Sequence, residues 1–200
     1  MRLVLATGNP GKMAELSRML AGSGIEVLGQ KELEIDSAPE DAATFVENAL
    51  IKARHVAKCS GLPAVADDSG LVVPALGGEP GIYSARYAGR QGDDAANNQL
   101  LLSKLAGVEN HRRQAAFHCV MVYLRNWQDP APLLAHGIWR GYIVDSPRGT
   151  NGFGYDPLFA DPQLGLTAAE LDSGAKDARS HRGQALRELV DQLNRFVIAS

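Results

Sequence analysis

Two adjacent carboxylates, Asp67 and Asp68, follow the apolar run Leu62 to Ala66. Neighbouring carboxylates repel, so a pair at the end of a buried-type strand is costly unless a cation is close by. Glu40 and Asp41, in a loop that also contains Pro39, are further oxygen ligands within the same half of the chain. Magnesium takes only one or two protein carboxylates and fills its other positions with water and phosphate, so a sparse set of this kind suits it. The plainer use of Asp67 is a helix cap or a solvated turn.

A second group suits the phosphate that such a cation accompanies. Thr7-Gly8-Asn9-Pro10-Gly11-Lys12 lies between an apolar run and a helical pattern. A glycine-containing turn at a helix N-terminus offers backbone N–H donors to an anion, and Lys12 adds charge. Asn9 tolerates the left-handed conformation that such turns often need, and Pro10 fits a first helical turn. The spacing differs from the GxxxxGK[ST] loop, and Met13 stands where that loop has a hydroxyl. An ordinary strand-to-helix connection has the same punctuation.

Gly149-Thr150-Asn151-Gly152-Phe153-Gly154-Tyr155-Asp156-Pro157 sets two aromatics among glycines, a composition that lets a ring and a backbone approach a flat ligand. The same composition makes a glycine-rich hairpin with core aromatics. Lys176 and Ser180-His181-Arg182-Gly183 precede the last helical pattern and offer donors to a base edge or a phosphate. Standing alone they would be a solvated basic patch. Asn48, Lys52 and His55 share a helical face, either as a polar outer stripe or with Lys52 directed at phosphate. No Ser-His-Asp order or Cys-His pairing supports covalent catalysis. Cys59 and Cys119 lack CxxC spacing and read as buried free thiols.

These residues need elements to hold them. Leu3 to Ala6 reads as a strand, followed by a helix carrying Met13, Leu16, Met19 and Leu20. Thr44-Phe45-Val46-Glu47 has the form of a capping box and predicts a helix from Phe45 to about Cys59. Leu62 to Ala66 predicts a strand that stops at Asp67-Asp68-Ser69-Gly70, with another from Leu71 to Leu76. Asp93 to Leu105 reads as a helix capped by Asp93 or Asp94 and stopped by Gly107. Ala115 to Leu124, apolar on both faces apart from His118, predicts a central strand. Leu133 to Val144, carrying Trp139 and Tyr142, reads as its antiparallel partner, and Arg182 to Ile198 as a closing amphipathic helix. The fold class is α/β with a mixed sheet.

The chain has 200 residues and is 45% hydrophobic, enough for one large domain or two closely joined lobes. Its 20 basic and 23 acidic residues are dispersed, with no basic run suited to a nucleic-acid backbone. No apolar stretch approaches the roughly 20 residues of a membrane span, and the expected setting is cytoplasmic.

Taken in order, six blocks resemble the inosine triphosphate pyrophosphatase family over almost the whole length. They are residues 7–12, Thr44-Phe45-Val46-Glu47-Asn48-Ala49, Ala66-Asp67-Asp68-Ser69-Gly70, the segment Leu76 to Tyr87, Gly152 to Pro157 and Ser180 to Gly183. The resemblance implies an elongated mixed sheet flanked by helices, with two lobes and a central cleft, forming a single catalytic domain over residues 1–200. It also implies hydrolysis of ITP, dITP or XTP to the monophosphate and pyrophosphate, by a homodimer using Mg2+. By position, Thr7, Gly8, Asn9, Pro10, Gly11 and Lys12 would bind the triphosphate. Glu40 and Asp68 would hold the metal, with Asp68 also the general base. Lys52, Ser69 and Lys176 would assist the phosphates, and Phe153, Gly154, Tyr155, Asp156, His181 and Arg182 would form the base pocket. Asn151 departs from the bacterial pattern, which usually has glycine there, and Arg86 lies near a phosphate-binding lysine of some relatives. The residues also allow a pyrophosphatase of modified pyrimidine nucleotides or a non-catalytic nucleotide sensor, although a sensor has no need of carboxylates beside a triphosphate.

Overall fold

Leu3 and Leu5 pack into one apolar cluster while Val4 and Ala6 pack into another, so β1 (Arg2–Leu5) and the residue after it are covered on both faces. That is the environment of a central parallel strand. The computed structural model describes residues 2–21 and 24–195. It pairs β1 in parallel with both β2 (Glu26–Gly29) and β3 (Ala64–Val72). Parallel neighbours need crossover connections, and α1 (Pro10–Leu20) and α2 (Phe45–Ser60) lie in the two that are required here.

The remaining elements are α3 (Asp94–Lys104), β4 (Gln114–Leu124), β5 (Leu133–Ile143), β6 (Phe159–Ala160), α4 (Ser173–Arg179) and α5 (His181–Leu193). The described strands form one six-stranded sheet in the order β2-β1-β3-β4-β5-β6, and the antiparallel pairing of β5 with β6 makes it mixed. The fold is α/β, as the sequence predicts.

The chain divides into two compact units. The first comprises Met1–Asp68, Cys119–Gly137 and Arg182–Ser200. One of its cores joins Leu3, Leu5, Val65, Cys119 and Met121 to Leu16 and Leu20 of α1 and to Leu186 and Leu189 of α5. Its other core joins Val4, Ala64, Ala66 and Val122 to Ala49, Ala53 and Val56 of α2. The second unit comprises Ser69–His118 and Ile138–His181. Its core gathers Leu71, Leu101, Leu105, Phe117, Trp139, Tyr155, Leu158 and Phe159.

Several local expectations change. The strand expected to stop before Asp67 runs through Asp67-Asp68-Ser69-Gly70 to Val72, and the second strand expected at Leu71–Leu76 gives way to a 3-10 turn at Pro74–Leu76. Continuous apolar flanks, Ala64 to Ala66 and Leu71, keep the backbone in the sheet. Asn9 is extended, with φ −85° and ψ 116°, and caps α1 by accepting the N–H groups of Gly11 and Lys12. Left-handed geometry is unnecessary because an N-cap residue uses the β region. Thr44 does cap α2, but Glu47 accepts the Thr44 hydroxyl at 2.6 Å where a backbone N–H was expected. A reciprocal capping box forms at Thr167 and Glu170. Cys119 is buried but Cys59 is exposed, since it falls on the outer face of α2. The final helix begins at His181, and Val197 and Ile198 lie outside the described residues.

Candidate functional site

Side chains alternate across a strand, so a strand that continues through the acidic pair sends its two carboxylates to opposite faces. Asp67 shares the parity of Val65, which packs with α1 and α5; Asp68 shares the parity of Ala64 and Ala66, which pack with α2. Each carboxylate pairs directly with a different lysine, Asp67 with Lys12 and Asp68 with Lys52.

On the face toward α1 and α5, Asp67 lies 2.9 Å from Lys12 Nζ and 3.4 Å from Arg182 Nε. Arg182 also binds Glu15 through Nη1. Asp67 is 1% exposed and Arg182 2%, so the grouping is a buried alternation of charges. Burial acts to raise the Asp67 pKa, but Lys12, Arg182 and Lys52 outweigh it and hold the carboxyl well below the usual range. Burial pushes the thiol of Cys119, whose Sγ is 4.0 Å from Asp67 Oδ2, up to about 12, which keeps it protonated.

On the face toward α2, Asp68 accepts from Lys52 Nζ at 2.8 Å and from Asn48 Nδ2 at 3.4 Å. Lys52 also lies 3.2 Å from Glu40. Asn48 and Lys52 are therefore buried on the inner face of α2, and only His55, which meets the Asp36 carbonyl, resembles the outer stripe. Burial pushes the Asp68 carboxyl above its ordinary range against the pull of Lys52 and Lys12. Lys52 is itself desolvated, yet Asp68, Asp67 and Glu40 raise its pKa and keep it charged. Two adjacent carboxyls thus have pKa values displaced in opposite directions, the pattern that separates a fixed anion from a proton acceptor.

The opening turn differs from the expected cradle. The N–H groups of Gly11 and Lys12 point to Asn9 Oδ1, and the Thr7 hydroxyl accepts the Asn9 N–H at 3.2 Å. What the turn contributes is the placement of Lys12, whose ammonium reaches Asp67 from the first turn of α1.

In the second unit, Asp156 accepts from Lys176 Nζ at 2.6 Å and from the Phe153 N–H at 2.9 Å. Lys176 lies 5.0 Å from the centroid of Phe153. Gly152 makes this possible: its φ is +77°, and a Cβ there would fall 2.0 Å from Asp156 Oδ2. The two aromatics part company. Phe153 is half-buried, whereas Tyr155 belongs to the core and donates its hydroxyl to the Ser84 carbonyl at 2.9 Å. His181 is buried and stacks on Phe117, with centroids 4.7 Å apart and planes 9° apart. Ser69 follows Asp68 in β3 and is half-buried in this unit.

Sequence reasoning placed Arg182 against a base, and it missed Glu15 and Phe117. Burial removes the solvated patch and turns two of the guanidinium's nitrogens onto Glu15 and Asp67. The available signal for Glu15 was its position three residues after Lys12, next to Leu16 on a buried helical face. Phe117, one apolar residue in an apolar strand, carries no such signal.

Comparison with known proteins adds to this geometry. The sequence model of the Ham1 family matches residues 3–192. A dITP/XTP pyrophosphatase of Halorhodospira halophila is 67% identical over 190 residues, covering 95% of this chain and 96% of the relative. A dITP/XTP pyrophosphatase of Escherichia coli K12 is 55% identical over 192 residues, covering 96% and 98%. Among solved structures, a HAM1 protein from Coxiella burnetii superposes with a TM-score of 0.90 at 49% identity, covering 98% of this chain and 99% of that one. A nucleoside-triphosphatase/dITP/XTP pyrophosphatase from Mycobacterium abscessus gives a TM-score of 0.76 at 47% identity, covering 94% and 98%.

Proposed function

The chain belongs to the Ham1 family, and from that premise we propose that it hydrolyses the non-standard purine nucleoside triphosphates ITP, dITP and XTP to monophosphate and pyrophosphate. The observation that carries the proposal is geometric: Asp68 and Glu40 converge on the buried Lys52 on one face of β3, and Asp67 pairs with the half-buried Lys12 on the other. Asp68, on the α2 face of β3 beside Lys52 and Glu40, is assigned the general base. Asp67, held ionised by Lys12 and Arg182, suits a fixed anchor that sets the position of Lys12.

The donor set fits a hard divalent cation. Asp68 and Glu40 already converge on one cationic centre, Lys52 Nζ, at 2.8 and 3.2 Å. Among the described residues no three His, Cys, Asp or Glu side chains gather as a metal cluster. Two carboxylates with the balance left to water and phosphate is the mode magnesium prefers. Asp68 and Glu40 would hold Mg2+, which when bound supplies neutralising charge to the phosphate oxygens.

Asp68 takes the proton of a water that attacks the α-phosphorus, and Lys12 and Lys52 offset charge on the departing pyrophosphate. No side chain becomes covalently attached. The Thr7 to Lys12 turn serves the triphosphate through the Lys12 ammonium that it places, together with Ser69. Phe153, Gly154, Asp156 and His181 serve the base, with Tyr155 fixing their loop from the core; Lys176, expected at the phosphates, pairs with Asp156 and lies 5.0 Å from the Phe153 ring, and so joins the base side in this reading. A donor facing a 6-keto oxygen would be left unpaired by adenine's 6-amino group, at a cost of about 1 to 3 kcal/mol. The contacts of Arg182 with Glu15 and Asp67 make His181 the stronger choice for that donor. Family resemblance further supports a single catalytic domain over residues 1–200, a homodimer and a cytoplasmic setting. No described helix is long and apolar enough to cross a membrane.

The test is to incubate the protein and magnesium with ITP, XTP, GTP, ATP and dTTP and to measure monophosphate and pyrophosphate. Preferential turnover of ITP and XTP is expected. Turnover of none would support a nucleotide sensor, and preference for dTTP a pyrimidine enzyme.

A further inference from the structure

Gly154 stands between the half-buried Phe153 and the core residue Tyr155, and α3 takes hold of both of its backbone polar groups. Its N–H donates to Asp94 Oδ2 at 2.6 Å, and its carbonyl accepts from Asn98 Nδ2 at 2.8 Å. Asp94 and Asn98 are four residues apart and so lie on one helical face. We propose that Asp94 and Asn98 are positioning residues for the base end of the substrate, acting through the Gly154 backbone to set the Phe153 ring. The inference rests on the reading of Phe153 to Asp156 as the base-side segment.

Three features make α3 a firm platform. Asp93 caps it by accepting the Ala96 N–H at 3.1 Å. Leu101 lies in the core of the second unit, together with Leu105 just beyond the helix. Asn97 ties it to the chain before it, accepting from the Ala88 N–H at 2.8 Å and donating to the Ala85 carbonyl at 3.4 Å. The grip also needs to be firm, because Gly154 has φ +62° and, its chain neighbours aside, no heavy atom within 4 Å of where a Cβ would stand. Nothing steric confines such a residue, and a glycine released from its bonds has the widest conformational choice of any residue. Tyr155 is held by its hydroxyl bond to Ser84 and by the core. Release of Gly154 would therefore be felt at Phe153.

The orientation of Asn98 is set by the carbonyl, which requires a donor. It leaves Asn98 Oδ1 buried without a hydrogen-bond partner among the described residues. The competing role for Asp94 is structural, since a negative charge in a first helical turn is favourable in itself. The two roles differ in what asparagine can replace: it keeps an oxygen acceptor for the Gly154 N–H but removes the charge.

The experiment measures steady-state kinetics with ITP, inhibition by inorganic triphosphate and thermal melting for the wild type, Asp94→Ala, Asp94→Asn, Asn98→Asp and Phe153→Ala. Asp94→Ala and Asn98→Asp should raise KM about tenfold, with kcat changed far less and inhibition by triphosphate unaltered. Asp94→Asn should recover most of the KM. If Phe153→Ala raises KM while Asp94→Ala and Asn98→Asp do not, the positioning role is overturned and the base-side reading stands. Should Phe153→Ala also leave KM unchanged, the base-side reading fails and this inference with it. If Asp94→Asn is as impaired as Asp94→Ala and melts equally early, the helix-charge role replaces the one proposed. Asn98→Asp, which leaves the first turn untouched, decides the matter if Asp94→Ala does not fold.

Discussion

Replacing Arg182 with methionine tests the buried charge network of the first unit. The substitution keeps the length and much of the apolar contact of the side chain but removes the cation shared by Glu15 and Asp67. Asp67 keeps Lys12 at 2.9 Å, whereas Glu15, 8% exposed, loses the partner named above. Breaking a buried ion pair from one side typically costs about 3 to 5 kcal/mol, because a charge is left in a poorly solvating environment. For a chain of roughly 150 to 250 residues each kcal/mol moves Tm by about 2 to 4 °C, so Arg182→Met should melt about 6 to 20 °C below the wild type. The magnitude is a large share of a typical domain stability of about 5 to 15 kcal/mol. The assay is differential scanning calorimetry at neutral pH, with Glu15→Leu/Arg182→Met measured alongside. Removing both partners should recover part of the loss, since an apolar pair can replace a buried ionic one. A single variant melting within about 2 °C of the wild type would refute the network as a stabilising element.

Asp68→Asn should lose about a hundredfold or more in kcat while keeping its melting temperature, checked by pyrophosphate release and calorimetry; near-normal turnover would remove Asp68 from the chemistry. Gly152→Ala forces a Cβ to within 2.0 Å of Asp156 Oδ2, so the Lys176 pair must shift; the KM for ITP should rise more than kcat falls, and unchanged kinetics would count against this loop as the base side. The carboxyl of Asp129 is held well below the usual range by Arg125, which bonds it through its backbone N–H, Nε and Nη2. A depressed folded-state pKa gives stability that is complete above the unfolded value near about 4 and is lost as pH falls toward the folded one. Asp129→Asn should accordingly melt earlier at neutral pH, with the gap closing on acidification; a gap independent of pH would contradict it.

Much of the frame was legible because it depends on local patterns. Met13, Leu16 and Leu20 recur at helical spacing, and Thr44 and Asp93 are strong cap residues, so α1, α2 and α3 could be bounded within a residue or two. Asp67-Asp68 was legible as a site but not as geometry. Its polarity suggested a strand end, whereas burial of Ala64 to Ala66 and Leu71 on either side keeps the strand continuous. That continuity separates the carboxylates onto two faces and gives them different pKa values, an outcome set by packing partners distant in sequence. Arg182 illustrates the same limit. Composition marks it as a polar donor near a helix start, but its commitment to Glu15, 167 residues away, follows only from the packing of α5 against α1. The grip of α3 on Gly154 likewise joins positions 56 and 60 residues apart and has no periodic signal.

The central claim is that Asp68 takes a proton from water attacking the α-phosphorus, so that pyrophosphate leaves intact. Hydrolysis of ITP in 18O-labelled water, with products analysed by mass spectrometry, examines it most directly. The account predicts one labelled oxygen in the nucleoside monophosphate, none in pyrophosphate, and loss of product formation in Asp68→Asn. Label recovered in pyrophosphate, or release of orthophosphate as the primary product, would contradict it.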